Sequence, residues 1–113
     1  MNNVRILVVL LLILISVAVV HGQLEVPALE QRVTDFTNSL TFSEWRTLES
    51  RLQRFEDSTS TQIAILLIKS LQGESIEEFA IRVFEKNKIG QKGKDNGVLI
   101  VVAKDDRLVR IDV

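Results

Sequence analysis

Oxygen-bearing side chains at the two ends of one apolar run are the residues best suited to chemistry in this chain. Asp95 and Asn96 come just before the run at residues 98–103, and Asp105 and Asp106 come just after it. Carboxylate and amide oxygens are the ligands that Ca²⁺ and Mg²⁺ prefer in proteins. An extended run of this length spans about 20 Å, so the two acidic corners cannot share one ion. Paired aspartates are ordinary in hairpin turns, which leaves Asp95 and Asn96 as the candidate ligands.

The corner formed by Asp95, Asn96 and Gly97 also has a purely structural interpretation, a polar turn in which Gly97 takes a positive φ angle. Two known binding motifs do not fit it. Residues 90–94 contain glycines and lysines, but their spacing is wrong for a phosphate loop and they lead from a helix into a strand. The acidic residues at alternate positions that an EF-hand requires are absent around Asp95. The corner is therefore either an ion site or a turn.

The composition excludes several classes of site. His21 is the only histidine, and the chain contains no cysteine or tyrosine. Because His21 lies in an N-terminal segment that we expect to be removed, the mature chain offers no serine–histidine or cysteine–histidine nucleophile pair and no histidine or cysteine zinc site. Any metal site must use oxygen ligands, which favours calcium or magnesium. A net charge of −1 and the lack of a basic patch give no reason to expect nucleic acid as a partner.

The N-terminal segment has the pattern of a signal peptide. Residues 6–20 are apolar apart from one serine, and this stretch is shorter than the roughly 20 apolar residues of a spanning helix. The compact residues before position 23 suit signal peptidase, so we predict a signal peptide at residues 1–22, cleavage after Gly22 and one domain at residues 23–113. Cleavage would place the domain in the periplasm or cell envelope. The alternative is an uncleaved N-terminal anchor that holds the domain at a membrane face.

Helix and strand signals predict how the chain positions these corners. Thr41 and Glu44, and again Ser75 and Glu78, have the spacing of capping boxes, and apolar residues at helical spacing follow each pair. The apolar runs at residues 62–68 and 98–103 are typical of strands covered on both faces, and they flank the second helix. Together they predict a βαβ unit with parallel strands. The alternation of apolar and charged residues at the C-terminus predicts an antiparallel hairpin.

The remaining segments are less regular. Residues 23–39 are interpreted as an extended arm with a turn near Asp35, an aspartate that is either solvated or part of an Asx-turn. On the first helix, Glu49 and Glu56 are assigned to the water-exposed side, opposite an apolar stripe. The chain stops at Val113 within a strand pattern, so we expect the sequence to be incomplete at its C-terminus.

Short motifs spread along the chain have the order and spacing of one known family. They are Val26-Pro27, Val33-Thr34-Asp35, Ser39-Leu40-Thr41, Gln62-Ile63-Ala64, Ile89-Gly90, Asp95-Asn96-Gly97-Val98-Leu99, Asp106-Arg107 and Arg110-Ile111. With these motifs the chain resembles the TPM domain family, which is named for a thylakoid lumen protein, a photosystem II repair protein and a modulator of an acetylcholine receptor. The resemblance covers almost all of residues 23–113.

The resemblance implies a fold and a set of functions. The fold would be a three-layer α/β sandwich, in which a small mixed sheet has helices on both faces and contains a βαβ unit and a C-terminal hairpin. Family members are associated with export, with divalent-ion binding at an acidic patch and, for some, with acid phosphatase activity. Asp35 and Asp95 match the family's aspartate positions, and Asn96 would add an amide oxygen. The implied cofactor is calcium or magnesium, and the implied partner is a membrane or envelope complex whose assembly or repair the domain supports, with any membrane tether outside residues 23–113.

Overall fold

The chain is described by a computed structural model that covers residues 2–17, 22–91 and 96–113. An N-terminal helix, α1 (Asn2–Val17), precedes the domain. The domain then has the order β1 (Val33–Asp35), α2 (Phe42–Thr59), β2 (Thr61–Ile68), α3 (Ile76–Lys86), β3 (Asn96–Ala103) and β4 (Leu108–Asp112). These strands form one sheet in the order β1, β2, β3, β4.

The register of the sheet determines which residues share an edge. β1 and β3 both run parallel to β2, with Val33 opposite Ile65 and Ile65 opposite Ile100. β4 returns antiparallel to β3, with Val101 opposite Arg110. The predicted βαβ unit is confirmed as β2, α3 and β3, and the predicted hairpin as β3 and β4. The carboxyl ends of β1, β2 and β3 therefore lie at one edge of the sheet, and their amino ends lie at the other.

The hydrophobic core lies between α3 and one face of β2 and β3. Alternate strand residues on this face and three residues of α3 are almost completely buried: Ala64, Leu66, Leu99, Val101, Phe79, Ala80 and Val83. The segment before β1 closes the side of this core, because Leu24, Val26 and Leu29 pack against the same cluster. Full burial of one large apolar side chain stabilises a fold by about 1.5–3 kcal/mol, so this layer contributes much of the stability.

α2 covers the opposite face of the sheet, over β1 and β2. Among the described elements, α2 contacts these two strands and neither β3 nor β4. Its capping box is present as predicted, since Glu44 N donates to Thr41 Oγ1 at 3.1 Å and Thr41 N donates to Glu44 Oε1 at 3.0 Å. Helices therefore lie on both faces of a small mixed sheet, as predicted. No described helix covers the part of the second face over β3 and β4, and Val109 and Ile111 there are 62% and 58% exposed.

Two predictions about the chain between residues 23 and 60 need correction. Residues 33–35, interpreted as part of an extended arm, form the strand β1, because this short segment pairs with β2. Glu56 is only 6% exposed and Glu49 is half-buried, so the prediction that both face water is wrong. Arg32 explains the burial of these charges, since its Nη1 donates to Glu49 at 3.3 Å and its Nη2 donates to Glu56 at 2.8 Å.

The N-terminal predictions concern a segment that the structure describes only in part. α1 is 16 residues long. Within residues 2–17, 22–91 and 96–113, no helix is long and apolar enough to cross a membrane. Residues 18–21, which adjoin the predicted cleavage point after Gly22, lie outside the described residues. The signal peptide, its cleavage and the alternative of an N-terminal anchor all stay predictions.

Candidate functional site

Asp35 ends β1 at the carboxyl edge of the sheet. Its Oδ1 accepts hydrogen bonds from Thr37 N at 2.8 Å and Thr37 Oγ1 at 2.5 Å, and its Oδ2 accepts one from Leu40 N at 2.9 Å. The bond from Thr37 N forms an Asx-turn, which confirms the structural alternative for this residue. Burial by itself would raise the pKa of Asp35, but these hydrogen bonds stabilise the carboxylate and hold its pKa below the ordinary value. Asp35 is therefore ionised at neutral pH.

An open cleft of about 550 Å³ lies beside the end of β1. Carboxylate, amide and aromatic side chains are all among its lining residues: Glu30, Asp35, Asn38, Phe36, Phe42 and Trp45. Phe36 and Phe42 are 56% and 73% exposed. Open α/β sheets bind their ligands outside the carboxyl ends of parallel strands, which is where this cleft lies. Oxygen donors beside exposed aromatic rings suit a cation or a ligand with one charged and one apolar part.

The first half of α2 holds β1, and with it Asp35, in place. Trp45 Nε1 donates to the backbone oxygen of Val33 at 2.8 Å. The two carboxylate oxygens of Glu49 accept from Arg32 N at 3.1 Å and Val33 N at 2.9 Å. β1 is the first strand in the sheet order, so no described strand pairs with its outer side, and side chains of α2 satisfy the N–H and C=O of Val33 there. The cleft is thus built on a strand that α2 fixes from one side.

The cluster of Arg32, Glu49 and Glu56 was missed by sequence reasoning. Glu49 and Glu56 are two helical turns apart and so lie on one face of α2, a spacing that could have linked them. Their shared partner could not be found locally, because Arg32 is 17 residues from Glu49 and 24 from Glu56. Both carboxylates are engaged by Arg32, so the cluster attaches the segment before β1 to α2 rather than offering a ligand site.

Asn96, a second predicted ligand, lies at the opposite edge of the sheet. It begins β3 at the amino edge. Asp35 pairs with Leu67 of β2, and Leu67 pairs with Val102, so Asp35 lies level with the other end of β3. The stretch of β3 from Asn96 to Val102 is about 20 Å long. Asp35 and Asn96 are therefore too far apart to bind the same cation. Asp95, the third predicted ligand, lies outside the described residues.

Gly97 is required for its size, and the prediction that it takes a positive φ angle is wrong. Its φ lies outside the left-handed region, and a Cβ at this position would lie 2.6 Å from the carbonyl oxygen of Ile89 and 2.9 Å from Gly90 N. Gly90, in contrast, does have a positive φ of 77°. Its N–H donates to Gln62 Oε1 at 2.7 Å. The backbone that follows α3 therefore packs directly on the start of β3, beside the Asn96 corner.

The corner at Asp105 and Asp106 is a hairpin turn, as predicted. Asp105 N donates to the carbonyl oxygen of Lys69 at 2.8 Å, and Asp106 Oδ2 accepts from Leu71 N at 2.7 Å. These bonds join the β3–β4 turn to the loop after β2. In the described parts of the chain, no group of three or more histidine, cysteine, aspartate or glutamate side chains is arranged to hold a metal ion.

The fold and these corners define a small α/β domain whose oxygen-bearing residues lie at both edges of a mixed sheet. A family profile described as TPM domain matches residues 33–113. The chain therefore belongs to the TPM domain family. No curated protein matches the chain significantly.

A solved structure supports the fold independently. The N-terminal domain of the cg2496 protein from Corynebacterium glutamicum, determined by solution NMR, is similar to this chain with a TM-score of 0.62 and 18% sequence identity. The match covers 82% of this chain, which spans 60% of the length of that chain. At this identity the likeness concerns the fold alone.

Proposed function

We propose that this TPM domain is exported, binds a divalent cation, with calcium as the first candidate, and supports the assembly or repair of an envelope or membrane complex. The observation that supports ion binding best is the ionised Asp35 in the open cleft at the carboxyl edge of the sheet. Glu30 and Asn38 add oxygen donors to the same cleft. Oxygen-only ligand sets of this kind suit calcium and magnesium.

The hydrogen bonds of Asp35 limit how it can bind an ion. A carboxylate offers about four lone-pair positions, and three of them are used by Thr37 and Leu40. The backbone N–H of Ser39 also stabilises the carboxylate, so Asp35 has room for at most one metal bond, from Oδ2. Water or other oxygens must complete the shell of six to eight ligands that calcium takes. Such a site has few charged ligands. We expect a dissociation constant in the range of about 10⁻⁴–10⁻³ M that is typical of extracellular calcium modules.

The three residues predicted from the sequence do not fit a single site, because Asp35 and Asn96 lie at opposite edges of the sheet. The proposal therefore assigns the ion to the Asp35 cleft. The corner formed by Asp95 and Asn96 is the competing location. The two locations are far enough apart that substitutions in one should leave the other intact.

Calcium titration of the full-length chain and three variants tests the proposal. Isothermal calorimetry should show binding to the wild type, loss in Asp35→Asn, and retention in Asn96→Ala and in the turn control Asp105→Asn. Free calcium at ten times the dissociation constant should stabilise each binding-competent chain by about 1.4 kcal/mol. Because Asp35→Asn also weakens the Asx-turn, the calcium-induced change is compared within each variant. Loss in Asn96→Ala alone would move the ion to the amino edge, and no binding at millimolar calcium would reject the proposal.

The proposed role at an envelope complex has its own test. Crosslinking of the full-length chain in intact cells should capture membrane or envelope proteins, and a calcium chelator should reduce that capture. Asp35→Asn should reduce it to the same extent, while Asp105→Asn should not. Capture that is insensitive to both the chelator and Asp35→Asn would separate any partner from the ion.

A metal-assisted acid phosphatase is the second candidate, favoured by membership of a family in which some members are associated with acid phosphatase activity. A bound divalent cation would supply polarisation of the phosphoryl group and activation of water. The mature chain has no histidine, so a carboxylate would have to act as the base. Because its pKa is lowered, Asp35 stays ionised in mildly acidic solution and can still accept a proton there, which fits an acidic optimum.

Hydrolysis of an aryl phosphate by the full-length chain separates the two candidates. Turnover that peaks at acidic pH, requires added calcium or magnesium, and is lost in Asp35→Asn or Asp95→Asn but kept in Asp105→Asn would establish the enzyme. Calcium binding without turnover would leave the binding module. Equal loss in all three variants would indicate a general effect on folding and would reject the phosphatase.

A further inference from the structure

The outer edge of β4 is a surface at which a further strand could pair. β4 is the last strand in the order, and no strand among the described residues pairs with its outer side. An unpaired edge exposes a row of backbone N–H and C=O groups that can pair with another strand. Edge strands that must stay single are often very short or carry charged side chains, lysine above all. The β4 edge has a different pattern.

Residues 109–113 form a self-complementary sequence, Val109-Arg110-Ile111-Asp112-Val113. Read in either direction it alternates apolar and charged residues, and its two charges have opposite sign. If two copies of β4 lie antiparallel with Ile111 opposite Ile111, each Arg110 faces the other copy's Asp112. Each Val109 then faces the other copy's Val113. Directly opposed side chains have Cβ atoms about 4.5–5.5 Å apart, close enough for these pairs to interact.

Both charged side chains can take part in such a pairing. They share one face of β4, since Arg110 lies opposite Val101 and Asp112 opposite Leu99. Arg110 donates from Nε to Asp112 Oδ1 at 3.1 Å, and its Nη1 is 3.6 Å from Glu77. A guanidinium has five N–H donors, so these contacts leave donors for another carboxylate. The Asp112 side chain is 17% exposed, and its buried Oδ2 has no hydrogen-bond partner among the described residues, so a rotation of the carboxylate lets it accept from an added donor.

The apolar side chains on the other face of β4 are also unpartnered by α2. Val109 and Ile111 are 62% and 58% exposed, because α2 contacts only β1 and β2 among the described strands. Pairing at the edge brings these side chains against those of the second copy. The contact is isologous, because the same residues contribute from both copies about one two-fold axis.

We propose that β4 is a homodimerisation edge, at which two copies of this chain pair antiparallel with Ile111 on the two-fold axis and two Arg110–Asp112 pairs between the copies. The sheet then continues from one copy into the other. The paired segment is short, so the association is reversible and depends on concentration. This inference is independent of the proposed ion site, because Asp35 lies on β1, at the opposite side of the sheet from β4.

Cysteine crosslinking tests the register of the dimer. The chain has no cysteine, so any disulfide must come from an introduced residue. Full-length Ile111→Cys, purified in mild detergent and oxidised gently, should form a disulfide dimer on a non-reducing gel, because the two Cβ atoms meet at the axis. The matched control is Val109→Cys, on the same face of the same strand, which faces Val113 and should crosslink poorly with itself. Equal crosslinking at both positions, or none at Ile111→Cys, would overturn the proposal.

Charge exchange tests the two ion pairs. In the Ile111→Cys background, Arg110→Asp alone or Asp112→Arg alone places like charges opposite each other and should lower the dimer yield about tenfold. A mixture of the two variants should restore crosslinking, and so should the double exchange within one chain, because opposite charges then meet again. A role of Arg110 confined to its own copy predicts no restoration in the mixture. That result would also overturn the proposal.

Discussion

Alanine at position 97 should destabilise the domain by about 3 kcal/mol. The new Cβ would lie 2.6 Å from the carbonyl oxygen of Ile89 and 2.9 Å from Gly90 N. Both are backbone atoms, so no side chain can rotate away, and the segment after α3 must shift from the start of β3. Overpacking of this kind typically costs about 1–3 kcal/mol, and we place this case at the upper end because backbone must move. The gain from a less flexible unfolded chain, about 0.4–1 kcal/mol, offsets only part of this cost.

Two other glycines separate the clash from backbone strain. Gly73 has a φ of 85° with no atom within 4 Å of an added Cβ, so Gly73→Ala should cost about 1 kcal/mol, from the left-handed conformation alone. Gly90 combines a positive φ with a Cβ position inside contact distance of Gly97 N, so Gly90→Ala should cost about 4 kcal/mol. The expected order of destabilisation is therefore Gly73→Ala, Gly97→Ala and Gly90→Ala.

Urea unfolding measures this order directly. Trp45 is the only tryptophan, so its fluorescence reports on one place in the fold, and circular dichroism reports on the whole domain. Because Gly90 and Gly97 meet at one contact, the double variant should be less destabilised than the sum of the two single variants. The reasoning is refuted if Gly97→Ala is within about 0.5 kcal/mol of Gly73→Ala, the range expected of a surface substitution.

Three further predictions concern the surroundings of β1. Asp35→Asn should be less stable than wild type above pH 3.8, the ordinary pKa of the carboxyl. The difference in unfolding free energy should shrink as the pH falls through the lower pKa of folded Asp35, because wild type then loses the same stabilisation. Urea unfolding across this pH range measures the difference, and a difference that does not change with pH would contradict the reasoning. Glu49→Gln should cost about 2 kcal/mol in thermal or urea unfolding, because one of the hydrogen bonds from Arg32 and Val33 loses its acceptor. The control is Glu85→Gln at an exposed position, which should change stability by less than about 0.5 kcal/mol. Trp45→Phe should cost about 1–2 kcal/mol by circular dichroism because the Val33 carbonyl loses its donor, and an unchanged midpoint would show that water replaces the indole.

Local features of the fold were predictable because their causes lie within a few residues. The capping box of α2 joins Thr41 and Glu44, which are three positions apart, and its hydrogen bonds are present as predicted. The Asx-turn at Asp35 joins residues two apart and was foreseen as an alternative. The parallel strands around α3 followed from their apolar runs and the helix between them. β1 was not foreseen, since three residues carry no periodic pattern and become a strand only by pairing with β2.

The sequence by itself determined which chemistry residues 22–113 can offer, because the absence of cysteine and of any histidine after His21 restricts the metal-ligating side chains among them to oxygen ligands. It also determined the two acidic corners that flank β3. Only the tertiary structure decided which candidates can act together. Strand order and direction place Asp35 at the carboxyl edge and Asn96 at the amino edge, about 20 Å apart along the strands. Those relations arise from pairing between residues distant in the chain, and residue type and spacing do not encode them locally.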